Sequence, residues 1–269
     1  MHTAPVSRQR LHVCCVAFVG ALVCSFPAST QEPPGDGPPP TTLSLGLGGI
    51  SRQQPYTGIA RDNMAIPFIH FENRYVEIMG PLIGLKIGGL DITESQTLHF
   101  SLVGKYDGHG YKADDAAILH GMATRKGAFW VGGKLEWNSE LMDVSAEWLT
   151  DATRASKGQL LNLELEKTWH LGQHMMLTPR LGATWQDKKY VDYYFGVRNN
   201  EMRIDRPAYT GKSGVNAEVG VRGIYMFNRR HSVFADFEVS SLSKAIKDSP
   251  LVDRSTENRV FLGYLYRIR

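Results

Sequence analysis

From Gly214 onward, apolar and polar side chains alternate. Val215, Ala217, Val219, Val221, Tyr225 and Phe227 share one parity, broken only at Gly223, and Asn216, Glu218, Gly220 and Arg222 share the other. Successive side chains of a strand point to opposite faces, so this is a ribbon with one greasy and one polar side. The same period of two sets Leu161, Leu163 and Leu165 against Asn162, Glu164 and Glu166, and Met142, Val144, Ala146 and Trp148 against Asp143, Ser145 and Glu147. Val233, Ala235, Phe237 and Val239 oppose Asp236 and Glu238, and Val260, Leu262, Tyr264, Tyr266 and Ile268 close the chain in the same way. Stretches with helical spacing are scarce, and no window after residue 41 approaches 18 consecutive apolar residues, which excludes helical membrane spans.

A soluble sandwich also alternates, so other features must decide which face is inside. The polar faces carry charges in the middle of long strands: Lys134 and Glu136, Asp143 and Glu147, Glu164 and Glu166, Arg180, Glu218 and Arg222. A wet lumen accounts for them. The apolar parity carries aromatics at strand ends, namely Phe129, Trp137, Trp148, Trp169, Trp185, Tyr225, Phe227, Tyr264 and Tyr266, as in the interfacial girdles of a transmembrane barrel.

Connection lengths support the same fold, because an outer-membrane barrel alternates short periplasmic turns with longer outer loops. Strands are expected over 42–50, 64–72, 74–79, 82–90, 96–106, 127–138, 141–150, 158–168, 174–186, 213–227, 231–241 and 258–268. Long connections fall at 51–63, 107–126, 187–212 and 242–257, with a modest one at 151–157. Short ones fall at Asn73, Asp91 to Ser95, Ser139-Glu140, Trp169 to Gln173 and Asn228 to Arg230. The expected fold class is all-β: an antiparallel up-and-down transmembrane barrel of about 12 strands. Twelve requires a tight outer turn at Gly80-Pro81 and a strand shorter than the ~9–11 residues of a tilted span, so ten remains the alternative.

The N-terminus changes the picture of where this barrel resides. Arg8 and Arg10 precede a mostly apolar run from Leu11 to Phe26 and a polar exit through Pro27 to Thr30, the layout of a cleaved signal peptide over residues 1–30. Residues 31–41, with Pro33, Pro34, Pro38, Pro39 and Pro40, form an extended tether, leaving 42–269 as one barrel domain. Cys14, Cys15 and Cys24 all lie in the signal, so the mature chain has no thiol for disulfide, zinc or nucleophilic chemistry. With Lys+Arg 30 against Asp+Glu 27, the charge balance also excludes a nucleic-acid-coating protein.

Candidate chemistry is thin. His99 and Ser101 are spaced like the His-x-Ser pair of outer-membrane lipid A deacylases, but their parity is opposite to Leu98, Phe100 and Leu102, pointing them into the lumen with no third member. His170 and His174 have i, i+4 spacing on what reads as a turn, where it does not gather metal ligands. His109, His120 and Asp114-Asp115 are expected to be solvated in the third outer loop. Glu164, Glu166, Arg180, Glu218, Arg222, Asp236 and Glu238 are expected to pair across strands, and their mixed signs argue against strong ion selectivity. The basic segment from Lys188-Lys189-Tyr190 to Arg206 is expected to face lipopolysaccharide phosphates. No catalytic, cofactor-binding or metal residue is assigned, and no cofactor is expected.

Several stretches together resemble the MipA/OmpV family of outer-membrane proteins, also called the MltA-interacting protein family. They are Tyr193-Tyr194-Phe195-Gly196-Val197, Pro207-Ala208-Tyr209, Ser249-Pro250-Leu251-Val252 and Gly263-Tyr264-Leu265-Tyr266-Arg267, supported by Tyr56-Thr57-Gly58 and Gly121-Met122. The resemblance implies an outer-membrane scaffold, not an enzyme, whose name-giving member binds a membrane-bound lytic transglycosylase and a bifunctional murein synthase. It brings no catalytic residues with it. Members usually end on an aromatic residue read by the barrel-insertion machinery, whereas Tyr266-Arg267 is followed here by Ile268-Arg269. The alternatives are a small-solute or ion channel and a surface adhesin or receptor built on the outer loops.

Overall fold

The computed structural model describes residues 41–269; the expected signal peptide and the expected tether, apart from residue 41, lie outside them. The strands are β1 (Thr42–Gln53), β2 (Asp62–Glu72), β3 (Val76–Met79), β4 (Leu82–Thr93), β5 (Gln96–Asp107), β6 (Ala128–Ser139) and β7 (Asp143–Asp151). They continue with β8 (Gln159–Glu166), β9 (Trp169–Leu171), β10 (Met175–Gln186), β11 (Gly214–Met226), β12 (His231–Ser241) and β13 (Thr256–Arg267). Every neighbouring pair is antiparallel, and β13 pairs with β1 from Ser44↔Arg267 to Gln53↔Asn258, which closes the ring. Closure removes the sheet edges that lipid could not satisfy along all of the wall but the upper part of β2.

The wall has twelve staves. β8 and β9 lie on β10 in one continuous register, Arg180↔Glu166 and Leu177↔Trp169, and so form a single stave. The break between them faces Pro179, which accepts from the Lys167 N–H at 3.3 Å but has no N–H to return. The expected turn from Trp169 to Gln173 is therefore corrected: its first three residues are strand, and the chain reverses at Gly172, whose φ of +71° suits glycine.

The expected tight reversal at Gly80-Pro81 is present, with Gly80 at φ +54°. Because β3 pairs with β2 only from His70↔Met79 to Glu72↔Glu77, the upper part of β2 has a partner on one side only, β1. Gly80 N–H donates to Ile69 O on that free side, so the alternation of a strand places the N–H-less Pro67 on the same edge.

Exposure confirms which face meets lipid. Leu47, Ile87 and Leu181 are 61%, 65% and 60% exposed, whereas Arg180, Arg222 and Asp236 on the other parity are 4%, 3% and 1% exposed. This inversion of the soluble pattern is the signature of a barrel solvated by hydrocarbon.

The outer loops depart from expectation. They contain an α-helix, α1 (Lys188–Phe195), and a single helical turn, α2 (Lys244–Lys247). Asp187 caps α1 by accepting from Tyr190 N–H at 2.8 Å. The α1 side chains Tyr190, Val191, Tyr194 and Phe195 are buried beneath the loops.

Candidate functional site

The lumen is built in layers. At the outer end, side chains from four loops close over the barrel: Tyr56 from the first, Leu119 from the third, Phe195 from the fifth and Leu251 from the sixth, each at most 2% exposed. They rest on Trp130, Leu149 and Leu160, inward residues at the upper ends of β6, β7 and β8. Tyr56 is the keystone. Its ring lies 5.0 Å from that of Tyr111 and 5.4 Å from that of Phe195, and its hydroxyl donates to Tyr194 O at 3.2 Å.

Polar contacts lock the same layer. Arg125 Nη2 donates to both carboxylate oxygens of Glu201, at 3.1 and 2.9 Å, and its Nε donates to Tyr193 O at 2.6 Å. Burial alone raises the Glu201 pKa, but the Arg125 hydrogen bond and the N–H groups of Ala123 and Arg198 outweigh it and hold the carboxyl below its ordinary value. Ser249 Oγ donates to Phe195 O at 2.7 Å, and Tyr209 Oη donates to Ala245 O at 2.6 Å.

The structure therefore brings together most of the stretches that carry the family resemblance. Tyr56 bridges to Val252, Val197 bridges to Tyr209, and Thr57 N–H donates to Leu251 O at 2.9 Å. Met122 packs into the same core.

Two expectations are corrected in this layer. His109 is buried rather than solvated: its N–H donates to Asp107 Oδ1 at 2.6 Å. Burial alone lowers the His109 pKa, yet the adjacent Asp107 carboxylate raises it above its ordinary value. Arg206 does not face lipopolysaccharide. It is 1% exposed, with Nε donating to Glu201 O at 3.0 Å and Nη1 to His120 O at 3.1 Å and to Ile118 O. Lys188, Lys189, Arg198, His120, Asp114 and Asp115 are exposed.

Below the loop core lies an ion network that joins most of the charges expected to pair. Arg180 donates to Asp236 at 2.5 and 3.0 Å and to Glu238 at 3.0 Å, and Arg222 Nε stands 3.3 Å from Asp236. Arg259, which the sequence reading missed, reaches Glu238 at 2.9 Å and Asp236 at 3.7 Å. Arg180 can cross to β12 because Gly220 stands opposite it on β11; a Cβ there would sit 2.9 Å from Nη2. Lys105, also missed, pairs with Glu147 at 2.6 Å. Glu218 has no ion pair among the described residues, and Glu164 stands 3.7 Å from Arg180.

His99 and Ser101 share the lumen-facing parity, opposite Glu136 and Lys134 respectively, and no hydrogen bond joins them. His170 lies in β9 opposite Met176 and His174 in the turn that leads into β10, where its ring stacks 6.2 Å from that of Tyr225.

The inner mouth has a different character. An apolar cluster of Met79, Met176, Ile224, Phe234, Phe261 and Leu265 fills one side of the lumen. Beneath it opens a bowl of about 340 Å³ lined by His70, His174, Arg229, Arg230, His231 and Arg267, and by no carboxylate.

A closed ring of antiparallel strands with a lipid-facing apolar band, short turns at one end and a loop-capped charged lumen defines an outer-membrane β-barrel. The chain belongs to the MltA-interacting protein MipA family, whose model matches residues 45–268. It is 25% identical over 234 residues to the YiaT protein of Escherichia coli (strain K12), covering 84% of this chain and 90% of that one. It is 22% identical over 228 residues to the MltA-interacting protein of the same strain, again covering 84% and 90%. Identity to the outer membrane protein OmpV of Vibrio cholerae is 28% over 152 residues, 56% of this chain and 58% of that one. Solved structures that overlap in fold include an outer membrane channel from Pseudomonas putida F1, with a TM-score of 0.44 and 12% identity over 88% of this chain and 100% of that one. The NanC porin overlaps with a TM-score of 0.43 and 8% identity over 82% and 98%.

Proposed function

We propose that this protein is a non-enzymatic scaffold of the outer membrane that docks peptidoglycan-remodelling enzymes on its periplasmic side. The carrying observation is the contrast between its two ends. The outer mouth is sealed by a hydrophobic core drawn from four loops, while the inner mouth presents a basic, concave surface free of lining carboxylates. Electrostatic complementarity of that kind steers and orients an acidic partner surface. The relative named for its interaction with MltA supports a lytic transglycosylase as the first partner, and the family resemblance adds a bifunctional murein synthase.

Affinity purification of the tagged protein from cross-linked envelopes, quantified against an unrelated barrel, tests this reading. Enrichment of a lytic transglycosylase is the expected result. Recovery of only the barrel-insertion machinery and lipopolysaccharide overturns it.

A second reading, a gated solute channel, is favoured by the spaces of about 110 and 270 Å³ that remain inside the lumen. It predicts discrete conductance steps in planar bilayers once the loop core is loosened, and a silent bilayer at high protein load counts against it.

A further inference from the structure

Directly beneath the loop core the lumen holds a largely enclosed space of about 110 Å³, roofed by Tyr190 and lined by Glu147, Glu164, Glu218, Glu238 and Glu257, with Lys105, Lys134 and His109 also in its wall. Three of these glutamates have cationic neighbours. Glu147 takes Lys105 at 2.6 Å, Glu238 takes Arg180 at 3.0 Å and Arg259 at 2.9 Å, and Glu164 lies 3.7 Å from Arg180. Among the described residues Glu218 and Glu257 form no salt bridge.

A second observation points to a ligand. Gln186, 7% exposed, lines the same space, and its Oε1 accepts no hydrogen bond. Buried acceptors are normally satisfied, and two carboxylates that make no salt bridge beside one make the space a sink for positively charged N–H donors. The approach has the same sign. A second space of about 270 Å³ shares Ser145 and Glu164 with the first and adds Glu136, Asp143 and Glu166, carrying the acidic wall to the inner mouth. Acids outnumber bases around this space: of the bases that line it, Lys105 is held by Glu147 and Lys134 by Glu136, each at 2.6 Å, and His109 sits beside Asp107.

We propose that this space binds a small organic cation bearing two ammonium groups, a diamine that enters from the periplasm, meets Glu218 and Glu257, and donates to Gln186. A bare metal ion fits less well, since no group of three ligating His, Cys, Asp or Glu residues occurs among the described residues. The site is independent of the scaffold reading, because it lies in the lumen and the docking bowl lies at the mouth.

Calorimetry on the folded full-length protein in detergent tests it, with 1,4-diaminobutane as probe and 1,4-butanediol as an uncharged probe of similar length. Saturable binding of the diamine and none of the diol is expected. Glu218→Gln and Glu257→Gln each weaken it roughly tenfold, the worth of one charge-assisted hydrogen bond, and Glu140→Gln on an exposed periplasmic turn leaves it unchanged. Heat-modifiability on gels checks that each variant is a folded barrel. Failure of the diamine to saturate, equal binding of the diol, or full affinity in both folded lumen variants overturns the proposal. If a lumen variant does not fold, the comparison of diamine with diol on the unmodified protein decides alone.

Discussion

Arg125, at the end of the third outer loop, and Glu201, in the fifth, meet through one guanidinium nitrogen that lies 3.1 and 2.9 Å from the two carboxylate oxygens. Their side chains are 1% and 3% exposed, and the pair joins segments 76 residues apart. Removing one partner of such a pair strands the other charge in a poorly solvated place, at a cost of about 3–5 kcal/mol. Arg125→Met is therefore expected to open the loop core while the strands stay paired. Limited proteolysis of the reconstituted protein would show new cleavage within 108–127 and 188–206 with the barrel fragment intact. An unchanged digestion pattern sinks the idea.

The same pair makes the loop core acid-sensitive. Glu201 is held below its ordinary pKa, so its contribution is fully present above the usual glutamate range and disappears as pH falls through the depressed value. Trp130 is 0% exposed under this core and reports its opening. Acrylamide quenching should rise below about pH 4, the unfolded-state glutamate value, and the step should be missing in Glu201→Gln. A step of equal size in that variant assigns the transition to other carboxylates.

Tyr56 separates packing from hydrogen bonding in one side chain. Tyr56→Ala removes the ring between Tyr111 and Phe195 and is expected to cost about 3–5 kcal/mol. Tyr56→Phe loses only the bond to Tyr194 O, about 1 kcal/mol. Gel-shift temperatures should rank wild type, Phe and Ala in that order, and bilayer recordings of the Ala variant show whether the loop core alone closes the lumen.

Asp236 answers Arg180, Arg222 and Arg259 at once. Asp236→Asn keeps the shape and removes the shared charge, so a large loss of barrel stability is expected, again about 3–5 kcal/mol. Gly220→Ala acts on the same network sterically by pushing the Arg180 guanidinium aside. Urea unfolding in detergent measures both, and unaltered midpoints would show that the network does not hold the strands.

The docking reading makes its own demand on the inner mouth. Arg229 and Arg230 are exposed at the rim of the bowl, far from the loop core. Arg229→Glu combined with Arg230→Glu should abolish capture of the transglycosylase without changing the gel-shift temperature. Undiminished capture moves the partner elsewhere.

The alternation from Val215 to Phe227 carried the barrel by itself, because a strand in a closed sheet has only two faces and hydrocarbon accepts only one kind. Parity alone also places Arg180, Arg222 and Asp236 inside. It did not reveal that three arginines from β10, β11 and β13 share Asp236, nor that Arg259 is one of them, since cross-strand register depends on where every turn falls. One signal of the loop core was present and unread: the doublets Phe129-Trp130, Trp148-Leu149 and Leu160-Leu161 break the alternation at the outer strand ends. There one residue faces lipid and its neighbour, Trp130, Leu149 or Leu160, is buried inside.

What the sequence determined alone is the class of wall: about twelve ribbons, apolar outward, charged inward, joined by unequal connections. The tertiary structure decided what the wall encloses. Loops as long as 187–212 have no period to read, and their fate rests on contacts such as Tyr56 with Phe195 or Arg125 with Glu201, made between residues far apart in the chain. Periodicity is a local property of the backbone, whereas sealing a lumen is a matter of which distant side chains can be buried together.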